Sequence, residues 1–152
     1  MEFASNRRSS ADDSYPNHTG RSFFVAMTTL LYVLAGGLAG TITRFLLQGW
    51  IQQRAGAGTF PAGTLVINIA GSFILGFVIR YATGTTVIAP DLRAALTIGF
   101  CGAFTTMSSF SYESMALLGD GEYVRASFYM GGTILGCLAA VMAGTALANR
   151  LL

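Results

Sequence analysis

Charged side chains divide this chain into a polar lead and four long apolar runs. Ser22 to Thr43, Ala55 to Ile79, Ala94 to Tyr112 and Ala126 to Asn149 contain no charged residue. A bilayer core of about 30 Å is crossed by roughly 20 residues at about 1.5 Å per residue, so each run is long enough to span. The pattern predicts helices over about 22–48, 60–80, 93–118 and 123–149, forming one membrane domain over 22–152. Pro61 is placed for a first helical turn. The connections carry turn chemistry: AGAG at 55–58, TGTT at 83–86 with Pro90, and GDG at 119–121. An even number of spans leaves both termini on one side. Residues 1–21 lack apolar periodicity and are expected to form a disordered polar tail.

Composition agrees with this reading. Hydrophobic residues make up 53% of the 152 and charged residues only 11%, against about a quarter charged in soluble domains. The fold class is therefore all-α integral membrane, with four transmembrane helices. The nine positive charges are all arginine, and a scattered net charge of +2 gives no basis for nucleic-acid binding. Cys101 and Cys137 are isolated, as buried free thiols would be. No histidine falls in a span, and neither paired carboxylates nor a nucleophile–base set can be assembled, so the chain is not expected to be an enzyme. Asn17-His18-Thr19 matches the glycosylation sequon, a three-residue pattern that recurs by chance, and Met27 stands as an alternative start. The first apolar run is too long and too glycine-rich for a cleaved signal peptide.

Arginine fixes orientation only weakly here. Arg21, Arg80, Arg93 and Arg150 fall on the termini side, with Arg7 and Arg8 added by the tail; Arg54 and Arg125 fall on the other. So small a bias is compatible with insertion both ways and antiparallel pairing. Gly36-x-x-x-Gly40 and Gly132-x-x-x-Gly136 have the spacing that lets helix backbones approach closely in lipid.

Polar residues inside the spans form stripes. Thr64, Asn68 and Ser72 share one face of the second helix, and Tyr129, Thr133 and Cys137 one face of the fourth. Thr106, Phe110 and Glu113 follow helical spacing in the third, with Met107 on the adjacent edge; Glu113 is the one acid well inside the apolar spans. A single Ser or Thr usually bonds its own helix at i−4. That account fails for the whole set, since Asn68 cannot satisfy its amide in this way. Moreover, five of the seven residues from Thr105 to Ser111 carry hydroxyls. Gly99, Gly102 and Thr105-Thr106 predict a third helix broken near its middle, which is tolerated at membrane depth only where the backbone is buried or lines a polar path. Hydroxyl and amide donors with positive phenyl edges suit a small anion or small polar solute. Arg44 adds positive charge at a vestibule, or snorkels to the interface.

The motifs GGLAGTITRF at 36–45, FPAGTLVINIAGSFILG at 60–76 and GFCGAFTTMSSFSYE at 99–113 resemble the CrcB/Fluc family of fluoride channels, and the position of Tyr129 fits as well. The resemblance implies an antiparallel, dual-topology homodimer in the bacterial plasma (inner) membrane, with two pores that release fluoride passively and relieve its toxicity. It implies a structural sodium ion at the dimer centre, held by the backbone carbonyls of Gly102 and Thr105. Asn68 would be a donor in the fluoride pathway. Phe110 would be one of two pore phenylalanines, Met107 replacing the other with a polarizable thioether that lacks a positive edge. Tyr129, Thr133 and Glu113 would form a polar track, with Cys137 where serine is usual. Thr64, Thr106, Ser108 and Ser109 would complete the donors. Glu113, a carboxylate in an anion path, would have to be protonated or displaced. The alternative is a small proton-coupled exporter of the multidrug type. Such an exporter needs an embedded acid, ordinarily in the first helix, and this first helix has none.

Overall fold

The computed structural model describes residues 18–56 and 60–152, with side chains from Phe23 onward. The expected 1–21 tail, with Asn17 of the sequon, lies outside these residues up to 17. The first helix, α1 (His18–Arg54), takes in 18–21, which the sequence reading had placed in that tail. No proline interrupts the chain from His18 to Arg54, so the ladder runs on past the apolar stretch. At about 1.5 Å per residue α1 is about 55 Å long, well beyond the hydrocarbon core. A second helix, α2 (Ala62–Gly84), starts immediately after Pro61.

The third span is interrupted. It begins as α3 (Pro90–Ala94), widens into a π-helical stretch over Ala95–Cys101, and closes with the short α4 (Gly102–Phe104). Thr105 and Thr106 are extended, at φ −81°, ψ 157° and φ −147°, ψ 111°. The chain then resumes as α5 (Met107–Gly119), and after a turn with Gly121 at φ +76° it ends in α6 (Tyr123–Leu151). Two successive β-branched residues favour extended backbone, and Thr106 caps the second half by accepting a hydrogen bond from the Ser109 amide. The break thus falls at the hydroxyl-rich segment. Three helices, α1, α2 and α6, are uninterrupted, apolar and long enough to cross a membrane. The described residues are all-helical, without strands, in the architecture of a multi-pass membrane protein.

Small residues set the packing, as expected where lipid offers no hydrophobic drive between helices. A Cβ on Gly36 would stand 2.1 Å from the Ala95 carbonyl oxygen, and one on Gly40 would stand 2.4 Å from that of Phe100. The Gly36/Gly40 pair therefore seats α1 on the π-helical stretch. The other pair behaves differently. Gly136 faces the Ile69 side chain, whereas nothing lies within 4 Å of a Cβ on Gly132. The α2–α6 contact is made instead by Gly76 and Gly144, where added Cβ atoms would come within 2.4 Å of the Val141 carbonyl oxygen and 2.2 Å of that of Phe73. Tyr129, Ile67, Thr64 and Cys101 are the largest fully buried side chains, so the centre of the protomer is partly polar. Phe45, Phe128, Leu135 and Met142 point outward and are largely exposed.

Candidate functional site

The Asn68 carboxamide bridges the break. Its Oδ1 accepts from the Thr106 amide at 2.8 Å and its Nδ2 donates to the Thr106 carbonyl at 3.2 Å, in a buried setting. Asn68 therefore takes the place of a neighbouring strand, satisfying both backbone groups of an extended residue that a helix would have paired internally. In an uninterrupted helix the Thr106 N–H would go to Gly102 O and the Ser109 N–H to Thr105 O. The first is given to Asn68 and the second to Thr106 Oγ1, at 3.3 Å. The Gly102 and Thr105 carbonyls are thereby released from their usual donors.

Around the cap, Thr106 Oγ1 donates to Ser109 Oγ at 3.0 Å and lies 3.2 Å from Ser108 Oγ, so Ser108 is the donor in that contact. Thr105 closes α4 through its amide and its hydroxyl, which both donate to the Cys101 carbonyl at 3.0 and 2.9 Å. Gly71 makes room for this turn, since a Cβ there would meet the Thr105 methyl at 2.3 Å.

Two grooves flank the region. One, of about 460 Å³, is lined by Asn68, Gly102, Thr105, Thr106, Met107, Phe110, Thr133 and Cys137, together with Ser72, Leu75, Thr97, Cys101, Ile134 and Leu138. Its lining carries no charged side chain. Phe110 is buried with its ring 5.3 Å from that of Tyr129, whereas Met107 is 72% exposed at the groove's edge. The other, of about 530 Å³, is lined by Phe45, Gln48, Gly49, Gln52, Pro61 and Glu113. There Glu113 Oε1 accepts from Thr64 Oγ1 at 2.8 Å and Oε2 accepts from the Tyr129 hydroxyl at 2.6 Å. Thr64 in turn accepts from Gln48 Nε2 at 3.0 Å.

The polar stripes thus divide between the grooves. Asn68, Ser72, Thr133 and Cys137 face the first; Thr64 and Tyr129 converge on Glu113 in the second. Some hydroxyls follow the plainer rule for Ser and Thr. Thr133, Ser111 and Ser114 bond carbonyls of their own helices at i−4, so those protons are committed. Arg44 is half-buried and lines neither groove. Sequence reasoning missed Gln48 and Gln52. Gln52 Nε2 donates to the Phe60 carbonyl and its Oε1 accepts from the Gly63 amide, which caps the start of α2. The signal was present, because Gly36, Gly40, Arg44, Gln48 and Gln52 continue a single i+4 stripe along α1.

A family model described as CrcB-like protein, Camphor Resistance (CrcB), matches residues 31–145, which contain the break and both grooves. The chain belongs to the CrcB family. Its relatives include the fluoride-specific ion channel FluC of Geobacter metallireducens, 41% identical over 125 residues that make up 82% of this chain and all of that protein. The FluC of Chlorobaculum tepidum is 43% identical over 82% of this chain and 98% of its own length. FluC 2 of Moorella thermoacetica is 46% identical over 71% and 86% respectively. The Asn68 bridge, the Thr106 cap and the Glu113 cluster of this CrcB protein all fall within the matched segment.

Proposed function

We propose that this CrcB protein is a fluoride-selective channel that lets fluoride leave the cell passively across the bacterial plasma membrane and so lowers its cytoplasmic toxicity. It is not an enzyme. The observation that carries the reading is the first groove, a largely apolar wall interrupted by the Asn68 amide and by the hydroxyls and carbonyls of the helix break, with the Phe110 ring in its lining and no charged side chain. A small, strongly hydrated anion needs donors to replace its water. The second Nδ2 hydrogen of Asn68 and the Met107 and Ser108 amides, at the positive end of α5, supply them. Thr64 and Tyr129, which now donate to Glu113, are the hydroxyls an arriving fluoride would take over as the carboxylate is displaced.

The pathway is completed in an antiparallel, dual-topology homodimer with two pores. The open first groove, the outward apolar faces of α5 and α6 and the weak arginine bias support this assembly. Gly102 and Thr105 fit a structural sodium ion there. Their carbonyls are neutral, hard oxygen donors released from helical partners, and they lie beside the groove that a second protomer would cover. The proton-coupled exporter receives no support, since Glu113 is on α5 and α1 carries no acid. Expression in a bacterium stripped of its own fluoride export tests the reading. Growth in millimolar fluoride should be restored by this chain and not by Asn68→Asp; equal rescue by both, or by neither, would count against it.

A further inference from the structure

The proposed pathway contains a carboxylate whose hydrogen-bond partners have a fixed direction. Both carboxyl oxygens of Glu113 accept: the Thr64 hydroxyl gives its one proton to Oε1 and the Tyr129 hydroxyl gives its own to Oε2. Thr64 Oγ1 has no further hydrogen to give, so its contact with Gln48 at 3.0 Å requires the glutamine to present Nε2 rather than Oε1. Thr64 and Tyr129 are fully buried, which leaves water little access to replace either partner. The chain therefore runs one way, from the Gln48 amide through the Thr64 hydroxyl to the Glu113 carboxylate, and it joins α1, α2 and α5. The last helix, α6, closes it through Tyr129.

We propose that Gln48 is a positioning residue of this pathway: its amide fixes the Thr64 hydroxyl as a donor to Glu113 and thereby holds the carboxylate in the second groove. Gln48 is well placed for this. It lies one turn before Gln52, whose two bonds to Phe60 and Gly63 clamp α1 to the start of α2. Gln48 touches the network through one hydrogen bond, so it acts through Thr64. A residue that can only accept at this position would turn the Thr64 proton away from Glu113. The titratable group bonded to Glu113 is Tyr129 of α6, and α2 presents the neutral Thr64; the nearest charge to Gln48 along α1 is Arg44, one turn before it.

The inference rests on the fluoride reading and is tested so that the two fail separately. Fluoride efflux from liposomes is measured from about pH 4 to 8, a range that spans the ordinary glutamate pKa of about 4.3, with protein-free liposomes run in parallel to subtract permeation of HF, for the wild type, Gln48→Leu, Gln48→Glu and Thr64→Val, and for Thr64→Val combined with Gln48→Leu. Loss of the neutral Gln48–Thr64 hydrogen bond should slow flux by up to about tenfold in Gln48→Leu at every pH. Gln48→Glu is nearly isosteric. It should be slow at pH 8, where the new carboxylate only accepts, and should recover toward wild type at low pH, where its protonated form donates to Thr64 again. Adding Gln48→Leu to Thr64→Val should slow flux no further, because the two act in series. Flux of Gln48→Glu that follows the wild-type pH profile, or full additivity in the double variant, would overturn the proposal. A wild type that passes no fluoride would overturn the underlying reading instead.

Discussion

Asn68→Ala removes the one side chain that satisfies both backbone groups of Thr106. The perturbation leaves a buried N–H and a buried C=O unpartnered, since Thr106 is 6% exposed. Each such loss costs about 1–3 kcal/mol, so the variant should be destabilised by about 2–6 kcal/mol, less whatever a water in the vacated volume recovers. Against a total stability of about 5–15 kcal/mol that is a large fraction. Asn68→Asp is no milder, because it keeps an acceptor for the Thr106 amide but replaces the donor to the carbonyl by a buried carboxylate oxygen. Its cost should be at least about 1–3 kcal/mol. Thermal unfolding temperature, followed by circular dichroism in detergent micelles, should be lower in both variants than in the wild type. Amide hydrogen exchange across residues 104–108 should rise in both variants, and fluoride flux should be lost in both. If Asn68→Ala unfolds at the wild-type temperature with unchanged exchange at Thr106, Asn68 is not the strut of the break and the reasoning fails.

Gly144→Leu should block the α2–α6 contact outright, because a Cβ would sit 2.2 Å from a backbone carbonyl that cannot move aside; size-exclusion chromatography should show aggregated protein, while Gly132→Leu, with open space around it, stays monodisperse. Tyr129→Phe removes one donor to Glu113. It should cost about 1.5–3 kcal/mol of stability, read by thermal unfolding, and slow fluoride efflux. Met107→Phe places an aromatic edge at the rim of the first groove and should raise fluoride flux above wild type in the same liposome assay. Replacing sodium by N-methylglucamine throughout purification and reconstitution should lower flux, with recovery when sodium is restored.

Much of this arrangement was legible in the sequence because bilayer physics leaves few options. Uncharged runs of spanning length can only be helices, and Thr105-Thr106 after Gly102 gave the break its place. Asn68 stood out because an amide cannot satisfy itself at i−4. What the sequence concealed was direction and partnership. Thr64, Asn68 and Ser72 share a face by spacing, yet a helix face is wide enough for Thr64 to turn to Glu113 while Asn68 turns to the break. The spacing of Gly132 and Gly136 matched a packing motif, but Gly76 and Gly144 make the contact, since which glycine meets a backbone depends on where two helices cross. Gln48 and Gln52 continue the Gly36, Gly40 and Arg44 stripe near the end of α1, but spacing alone does not name their partners. Their roles emerge only when the start of α2 is set against them.

The central claim is most directly tested by ion efflux from liposomes containing the purified protein, followed with fluoride and chloride electrodes in parallel. Potassium salts are loaded inside and valinomycin removes the voltage limit. The account predicts rapid release of fluoride with chloride retained, abolished by Asn68→Ala. Release of chloride at a comparable rate, or of neither ion from protein shown to be dimeric, would contradict it.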